Sequence, residues 1–270
     1  MSETPLESSA RILLQAVKEF SPDHIVSMVS GGQDSACSHA VAKAIGVRVN
    51  LIIHGATRTG IRETTEWVTD HYGHDGPDLA IADAGTAYED YVLRKGFFGK
   101  GIDAHGFAYR VLKAQPFRKV ISARIRQRKR GVRILLLNGA RKSESANRTQ
   151  NLKVWRSDPA APGNVWVNII HDWTQGDRDD FLKRNKVCIN PVAKALCRSG
   201  ECMCGTMQTA AERVEAAAIY PKWGAWLDGL EREVKARHGF GWGDPFPRRP
   251  DPRQTDLFQP MCIDCEARHA

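Results

Sequence analysis

The sequence predicts an α/β protein built on a parallel sheet, and three observations carry that prediction. Short apolar runs alternate with segments of helical period, the pattern of right-handed βαβ units. The first run, His24 to Ser30, ends on a glycine pair that opens the next helix. A later run, Val132 to Leu137, lies between Gly131 and Gly139 and is almost wholly apolar, as a central strand buried on both faces should be.

The elements follow in order. Residues 5–20 carry Leu6, Ile12, Leu13, Ala16, Val17 and Phe20 at helical spacing and stop at Pro22-Asp23. After the strand at His24 to Ser30, a helix is expected from about Asp34 to Ala44, closed by Gly46. Val47 to His54 reads as a strand, Arg62 to Tyr72 as a helix and Leu79 to Ala82 as a strand. Tyr88 to Arg130 is mostly helical, broken early by Gly96, Gly99, Gly101 and Gly106. Val165 to Ile170 is a further strand, and helices are expected over Asp177 to Asn185, Thr206 to Ala217 and residues 222–238. Beyond Gly239 the composition shifts to Gly, Pro, Arg and Asp as far as Gln259.

Composition bounds the function classes. With 270 residues, 42% apolar and 26% charged, the chain can bury a sizeable core, which excludes general disorder. No run of 18 apolar residues exists, and Met1 to Glu19 lacks the basic and apolar regions of a signal peptide, so a cytoplasmic protein with no membrane partner is expected. Lys and Arg number 39 against 31 acidic residues, a net charge of +8, which suits an anionic partner such as nucleotide phosphates or a nucleic acid. The run of eight basic residues from Arg118 to Arg133 could track a nucleic-acid backbone, but aromatic residues are poorly interleaved and a solvated helix face is favoured.

Ser30-Gly31-Gly32-Gln33-Asp34-Ser35 stands between the first strand and its helix. Glycines let backbone amides approach an anion, and the helix N-terminus adds about half a positive charge. Ser30 and Ser35 can donate hydroxyl hydrogen bonds. Asp34 is a candidate helix cap and a candidate to position Mg²⁺ beside phosphates. Gly-x4-Gly-Lys is absent, so this is not a Walker A loop. A plain Gly-Gly turn with an Asp cap is the alternative.

The loop resembles that of the PP-loop ATP-pyrophosphatase superfamily, Ser-Gly-Gly-x-Asp-Ser. More closely, the chain resembles the phosphoadenosine phosphosulfate (PAPS) reductase family, in the branch that keeps this loop. That branch includes ATP sulfurylase small subunits and the sulfur-transfer proteins of DNA phosphorothioation. Gln33 replaces the usual Lys, so one phosphate-directed charge is missing. His54 to Glu66 is similar to the family's second-strand motif, and the resemblance places Thr59-Gly60 beside the nucleotide. Arg58 and Arg62 depart from the usual Asp or Asn and Pro.

Asn138 to Arg148 follows the central strand and resembles the family's Gly-x-Arg-x-x-Glu-Ser-x-x-Arg. Ligands of open α/β sheets sit outside the carboxyl ends of strands. Gly139 would there allow close approach, and Arg141 and Arg148 would supply planar charged forks for phosphate or sulfate oxygens. Solvated charges at a helix start are the alternative.

Seven cysteines in a chain read as cytoplasmic argue against a disulfide framework. Cys37 and Cys188 stand alone, whereas Cys197, Cys202, Cys204, Cys262 and Cys265 all lie beyond residue 196, a skew that suggests a metal site. Cys202-x-Cys204 and Cys262-x2-Cys265 together offer four thiolates, which suit Zn²⁺ or an iron–sulfur cluster. His171-Asp172-Trp173 and Ser199 to Gly205 continue the resemblance, and sulfur-handling relatives make [4Fe–4S] the expected cofactor, with Zn²⁺ the alternative. Cys197 is a possible replacement ligand, a sulfur-carrying thiol near Arg198, or inert.

The resemblance covers about residues 24–265 and implies an adenine nucleotide alpha-hydrolase-like fold. Residues 1–190 would form the nucleotide-binding domain and residues 191–270 a Cys-rich helical appendage packed on it. It further implies ATP with Mg²⁺, adenylation of an acceptor with release of pyrophosphate, and sulfur transfer from a donor such as a cysteine desulfurase. Asp34, Arg141 and Arg148 would be the catalytic residues, and the acceptor could be a nucleic acid. Reduction of PAPS or adenylyl sulfate to sulfite, with thioredoxin as partner, is the second expectation. Against it stand the intact loop and a C-terminus, Glu266 to Ala270, without the reductases' Glu-Cys-Gly element. The third is a metal-stapled nucleic-acid-binding protein without enzymatic activity.

Overall fold

The computed structural model describes residues 3–74, 76–127, 130–144, 152–158, 161 and 163–247. Its centre is a six-stranded sheet in the order β3-β2-β1-β4-β6-β5. The strands are β1 (His24–Val29), β2 (Leu51–Ala56), β3 (Leu79–Asp83), β4 (Ile134–Asn138), β5 (Trp155–Ser157) and β6 (Asn164–Asn168). Five run parallel, and β5 pairs antiparallel with β6 at the edge. The order reverses between β1 and β4, the switch point at whose carboxyl ends open α/β sheets place their ligand crevice. The α/β class expected from the sequence is the class observed.

Helices cover both faces of the sheet. On one side lie α1 (Pro5–Phe20), α2 (Gln33–Ala44), α3 (Arg62–Tyr72) and α7 (Gln175–Arg184). Ile12, Leu13, Cys37, Val41, Leu135, Leu137 and Val167 pack together there, and Val68 and Tyr72 cover Val29 and Ile52. On the other side Val26, Met28, Ile53, Ile134 and Leu136 meet Phe117 and Ile121 of α6 (Gln115–Ile121).

That covering rod is irregular. It starts as α5 (Ile102–Tyr109), passes through a π-helical turn at Arg110–Ala114, resumes as α6, and ends in a second π-helical turn at Ser122–Arg126. Pro116 has no N–H to give the ladder, and just before it the hydrogen bonds lengthen in register, with Gln115 N–H donating to the Arg110 carbonyl.

A second core stands at the carboxyl end of the sheet. It joins α4 (Ala87–Lys95) and α5 to α8 (Pro191–Leu196), α9 (Ala210–Ile219) and α10 (Pro221–His238). Tyr88, Phe97, Leu112, Leu196, Met203, Trp223, Leu227 and Trp242 are buried in it. The described residues after 190 thus share their core with residues 87–112 of the sheet-bearing part.

Several elements differ from expectation. Asp34 does not cap α2. Gly32 does, in an extended conformation without a side-chain bond, and Asp34 lies in the first turn. Val47 to Asn50 is not strand, because Val47 N–H donates to Ala42 O and Asn50 Oδ1 accepts from Ile25 N–H. The helix expected from Thr206 starts at Ala210, where Thr209 and Glu212 form a reciprocal capping box. Strand β5 and helix α8 were not expected. Among the described residues, no helix is long and apolar enough to cross a membrane.

Leu227 is fully buried at the centre of the second core. Leu227→Ala is expected to lower stability by roughly 2–5 kcal/mol, read as a shift in the urea midpoint at unchanged slope.

Candidate functional site

The Ser30–Ser35 loop is built from its own hydroxyls and amides. Ser30 N–H donates to Ser35 Oγ at 3.0 Å, the two hydroxyls lie 3.1 Å apart, and Ser35 Oγ donates to Gly32 O at 2.9 Å. Gly31 adopts φ +77°, and a Cβ there would lie 2.7 Å from Thr64 Cγ2, so the loop passes α3 where no side chain fits. With no side-chain cap at Gly32, the first amides of α2 face the crevice as an anion site.

Gly139 closes the other wall. A Cβ on it would sit 2.3 Å from the carbonyl oxygen of Asp34, so the loop after β4 touches the first turn of α2 backbone to backbone. Arg141 then lies buried beside Asp34 and donates Nε–H to its Oδ1 at 2.7 Å. Arg178 of α7, which sequence reasoning missed, donates Nη1–H to the same oxygen at 3.0 Å. Burial opposes the Arg178 charge, but hydrogen bonds to Asp179 and Asp34 hold its pKa above the ordinary value. Two guanidinium groups share one carboxylate oxygen and remain positive, which suits phosphate or sulfate.

These groups line a cleft of about 960 Å³ between the sheet and the helical layer. Ser30, Gly32, Gln33, Asp34, Ser35, Gly139 and Arg141 face it, together with Arg178, Lys113, Cys197, Cys202 and Cys204. A smaller pocket of about 230 Å³ adjoins it and shares Ser30, Ser35, Tyr109, Lys113 and Asn138. Met28, Ile53, Phe117 and Trp166 make its apolar walls. Gly55 belongs to them, since a Cβ there would lie 2.8 Å from the Phe117 ring.

Thr59 and Gly60 do not line the cleft. They hold the cysteine loop. A Cβ on Gly60 would lie 2.0 Å from Gly200 O, and Ile61 N–H donates to that carbonyl at 2.8 Å. Thr57 N–H donates to Glu201 Oε1 at 2.6 Å, and Thr57 Oγ1 donates to Glu201 O at 2.8 Å. Thr59 Oγ1 accepts from Met203 N–H, and Thr64 Oγ1 donates to Ser199 O. Trp242 and Gln208 brace the far side through Met203 O and Cys202 O. Arg58 turns away to Asp83 in a two-pronged ion pair, and His54 donates Nδ1–H to Val29 O under the end of β1. Burial depresses the His54 pKa, so it serves as a neutral strut.

The Cys202 and Cys204 sulfurs lie 4.0 Å apart, and Cys204 Sγ lies 3.3 Å from Thr206 Oγ1. The Cys202 S–H pulls the Cys204 pKa down to about 6 against the opposing effect of burial, with help from Thr206 and Lys113. Cys202 is pushed up by the same sulfur pair, so the dithiol gives up one proton early and holds the other. Buried Cys37 is pushed up to about 12, mainly by desolvation, and stays a thiol beneath α2. Cys197 is exposed in the left-handed residue that ends α8. Among the described residues no group of three or more His, Cys, Asp or Glu is placed to hold a metal. Arg148, Cys262 and Cys265 lie outside the described residues.

Glu201 was legible only as part of a motif, and Lys113 not at all. They form an ion pair of 2.8 Å with the carboxylate almost fully buried. Burial opposes both charges, yet the partners prevail: Lys113 is held above and Glu201 below its ordinary pKa.

Gly60→Ala is expected to force the cysteine loop away from residues 57–61, lowering stability by at least about 2 kcal/mol. It should also speed reaction of Cys202 with a thiol reagent. In chelator-treated wild type, the alkylation rate of the buried Cys204 should be level above pH 7 and slow as pH falls through 6, because its thiolate is the reactive form.

No curated protein matches the chain. Three solved structures are similar to the chain at low identity. PAPS reductase from Candida auris, a phosphate complex, is 17% identical over 69% of this chain and 83% of that one, with a TM-score of 0.47. FMN adenylyltransferase from Candida glabrata, with FAD and pyrophosphate, is 13% identical over 71% and 60%, with a TM-score of 0.49. NH3-dependent NAD synthetase from Campylobacter jejuni is 14% identical over 86% and 94%, with a TM-score of 0.48. Residues 24–207, well over half of the sequence, match the phosphoadenosine phosphosulfate reductase domain, and the chain belongs to that family.

Proposed function

We propose that the protein is an ATP-pyrophosphatase-type enzyme that adenylates an acceptor for sulfur transfer. One observation carries this reading: the intact Ser30–Ser35 loop opens on the same cleft as Cys202 and Cys204. Adenosine fits the apolar pocket between Met28, Ile53, Phe117 and Trp166, and the phosphates then reach the amides of α2. An acceptor oxygen attacks the α-phosphorus, a new P–O bond forms, and the bond to pyrophosphate breaks. Arg141, Arg178 and the loop amides neutralise the charge that moves to the leaving group. Asp34 has one oxygen committed to two arginines, so its part is to orient them, and Mg²⁺ arrives on the nucleotide. A sulfur donor then displaces AMP. A nucleic acid is one acceptor class compatible with the net charge of +8.

The cysteine pair fits a metal centre completed by Cys262 and Cys265. Its 4.0 Å separation is that of two thiolates on one tetrahedral ion, as in a zinc site. A [4Fe–4S] cluster, with each thiolate on its own iron, would need the two side chains to swing apart. Either centre would anchor the chain after residue 247 beside the cleft.

The low pKa of Cys204 inside the cleft favours one second reading. A thiolate there could attack the sulfur of adenylyl sulfate or PAPS, release the nucleotide and, after attack by Cys202, yield sulfite and a disulfide for thioredoxin to reduce.

Calorimetric titration of the anaerobically purified protein with Mg–ATP and with PAPS separates the two. Preference for ATP is the expected result. Preference for PAPS would establish the reductase, and binding of neither would overturn both. Iron, sulfide and zinc analysis of the same sample identifies the centre, and zinc without sulfide removes the cluster.

A further inference from the structure

We infer that Lys113 supplies the phosphate-directed charge that Gln33 withholds, and that Glu201 of the cysteine loop holds it in place. The inference rests on the nucleotide-site reading above and names a binding residue within it. Gln33 leaves the loop without a cation of its own. Lys113 comes from the opposite wall, on the rod that covers the sheet, and lines both cavities at the point where they share Ser30 and Ser35. A nucleotide whose base fills the smaller cavity and whose phosphates reach the loop must pass this ammonium.

Three features of the chain favour a ligand role over a purely structural one. Lys113 sits in the π-helical turn at Arg110–Ala114, a re-registering of the helix that recurs at functional sites. Its partner Glu201 is almost fully buried, and a buried ion pair is often no more stabilising than apolar residues of the same size. An ammonium also has three donors, and the 2.8 Å ion pair with Glu201 Oε2 engages at most one. The other two remain for phosphate oxygens, while the lysine side chain keeps 23% of its surface exposed.

Glu201 has a second attachment. Its Oε1 accepts from Thr57 N–H at 2.6 Å, in the loop that carries the whole cysteine segment. The lysine therefore ties the phosphate site to the residue next to Cys202. A phosphate on Lys113 and a displaced cysteine loop are communicated through one carboxylate.

The test transplants the charge. Lys113→Met alone would strand a buried carboxylate, so the main variant is Lys113→Met/Glu201→Gln, which removes both charges together. Titrations with adenosine, AMP, ATP and inorganic pyrophosphate compare it with wild type, and circular dichroism checks the fold. The double variant should bind ATP and pyrophosphate roughly 10- to 100-fold more weakly, the worth of a charge-assisted hydrogen bond, with adenosine unaffected. Adding Gln33→Lys should restore much of the loss, and Lys113→Arg should keep near-wild-type affinity. Equal ATP and pyrophosphate affinity in wild type and double variant would overturn the Lys113 assignment alone. Equal losses for adenosine and ATP would overturn it as well, by showing a structural role. Failure of wild type to bind any of the four would instead overturn the nucleotide site itself.

Discussion

The arrangement depends on the interlock between residues 57–64 and residues 199–203. It is made of backbone: carbonyls and amides from two distant parts of the chain meet across Gly60 and Gly200, where a single methyl group would not fit. The hydroxyls of Thr57, Thr59 and Thr64 complete the bonding from the first of the two segments. Such contacts have little tolerance, since a buried amide or carbonyl left unpaired costs more than most side-chain contacts return. They fix the cysteine pair at the edge of the phosphate cleft, where a loop held only by its own side chains would drift.

The same logic runs through the phosphate loop. Gly31 slips past Thr64, Gly139 lies on Asp34, and Gly32 leaves the first turn of α2 open. Each glycine removes a side chain where two backbones, or a backbone and an anion, must come close. Charge is then added from further away by Arg141, Arg178 and Lys113, one from the loop after β4, one from α7 and one from the covering rod. Asp34 and Glu201 sit between these cations and prevent them from simply repelling one another.

The sequence displayed what is local. The loop at Ser30, the strand that ends at Asn138, Arg141 and the Cys-x-Cys pair could all be read because their chemistry lies in adjacent residues. Thr59-Gly60 was legible as a motif, but not the surface it grips, which lies over a hundred residues away. Arg178 and Lys113 gave no signal, because one basic residue on a helix looks like any other until its partners are known. Asp34 suggested a cap by residue type, yet the extended Gly32 took that position and freed the carboxylate for two arginines. Val47 and Val49 looked like strand because they are apolar and alternate. They are partly buried against the core below α2 without joining the ladder, so their periodicity reports packing and not pairing.

The second core joins chain segments made at very different times during synthesis. Tyr88, Val92, Phe97 and Leu112 emerge from the ribosome long before Trp223, Leu227 and Trp242, which cover them. Until then α4 and α5 expose an aromatic face with nothing to bury it, a surface that invites chaperones or self-association. The cysteine loop emerges between the two sets, and the segment that grips it is itself held by the last helix, where Trp223 donates Nε1–H to Thr59 O. The grip on the cysteine loop is therefore complete only after residues 221–238 have been made.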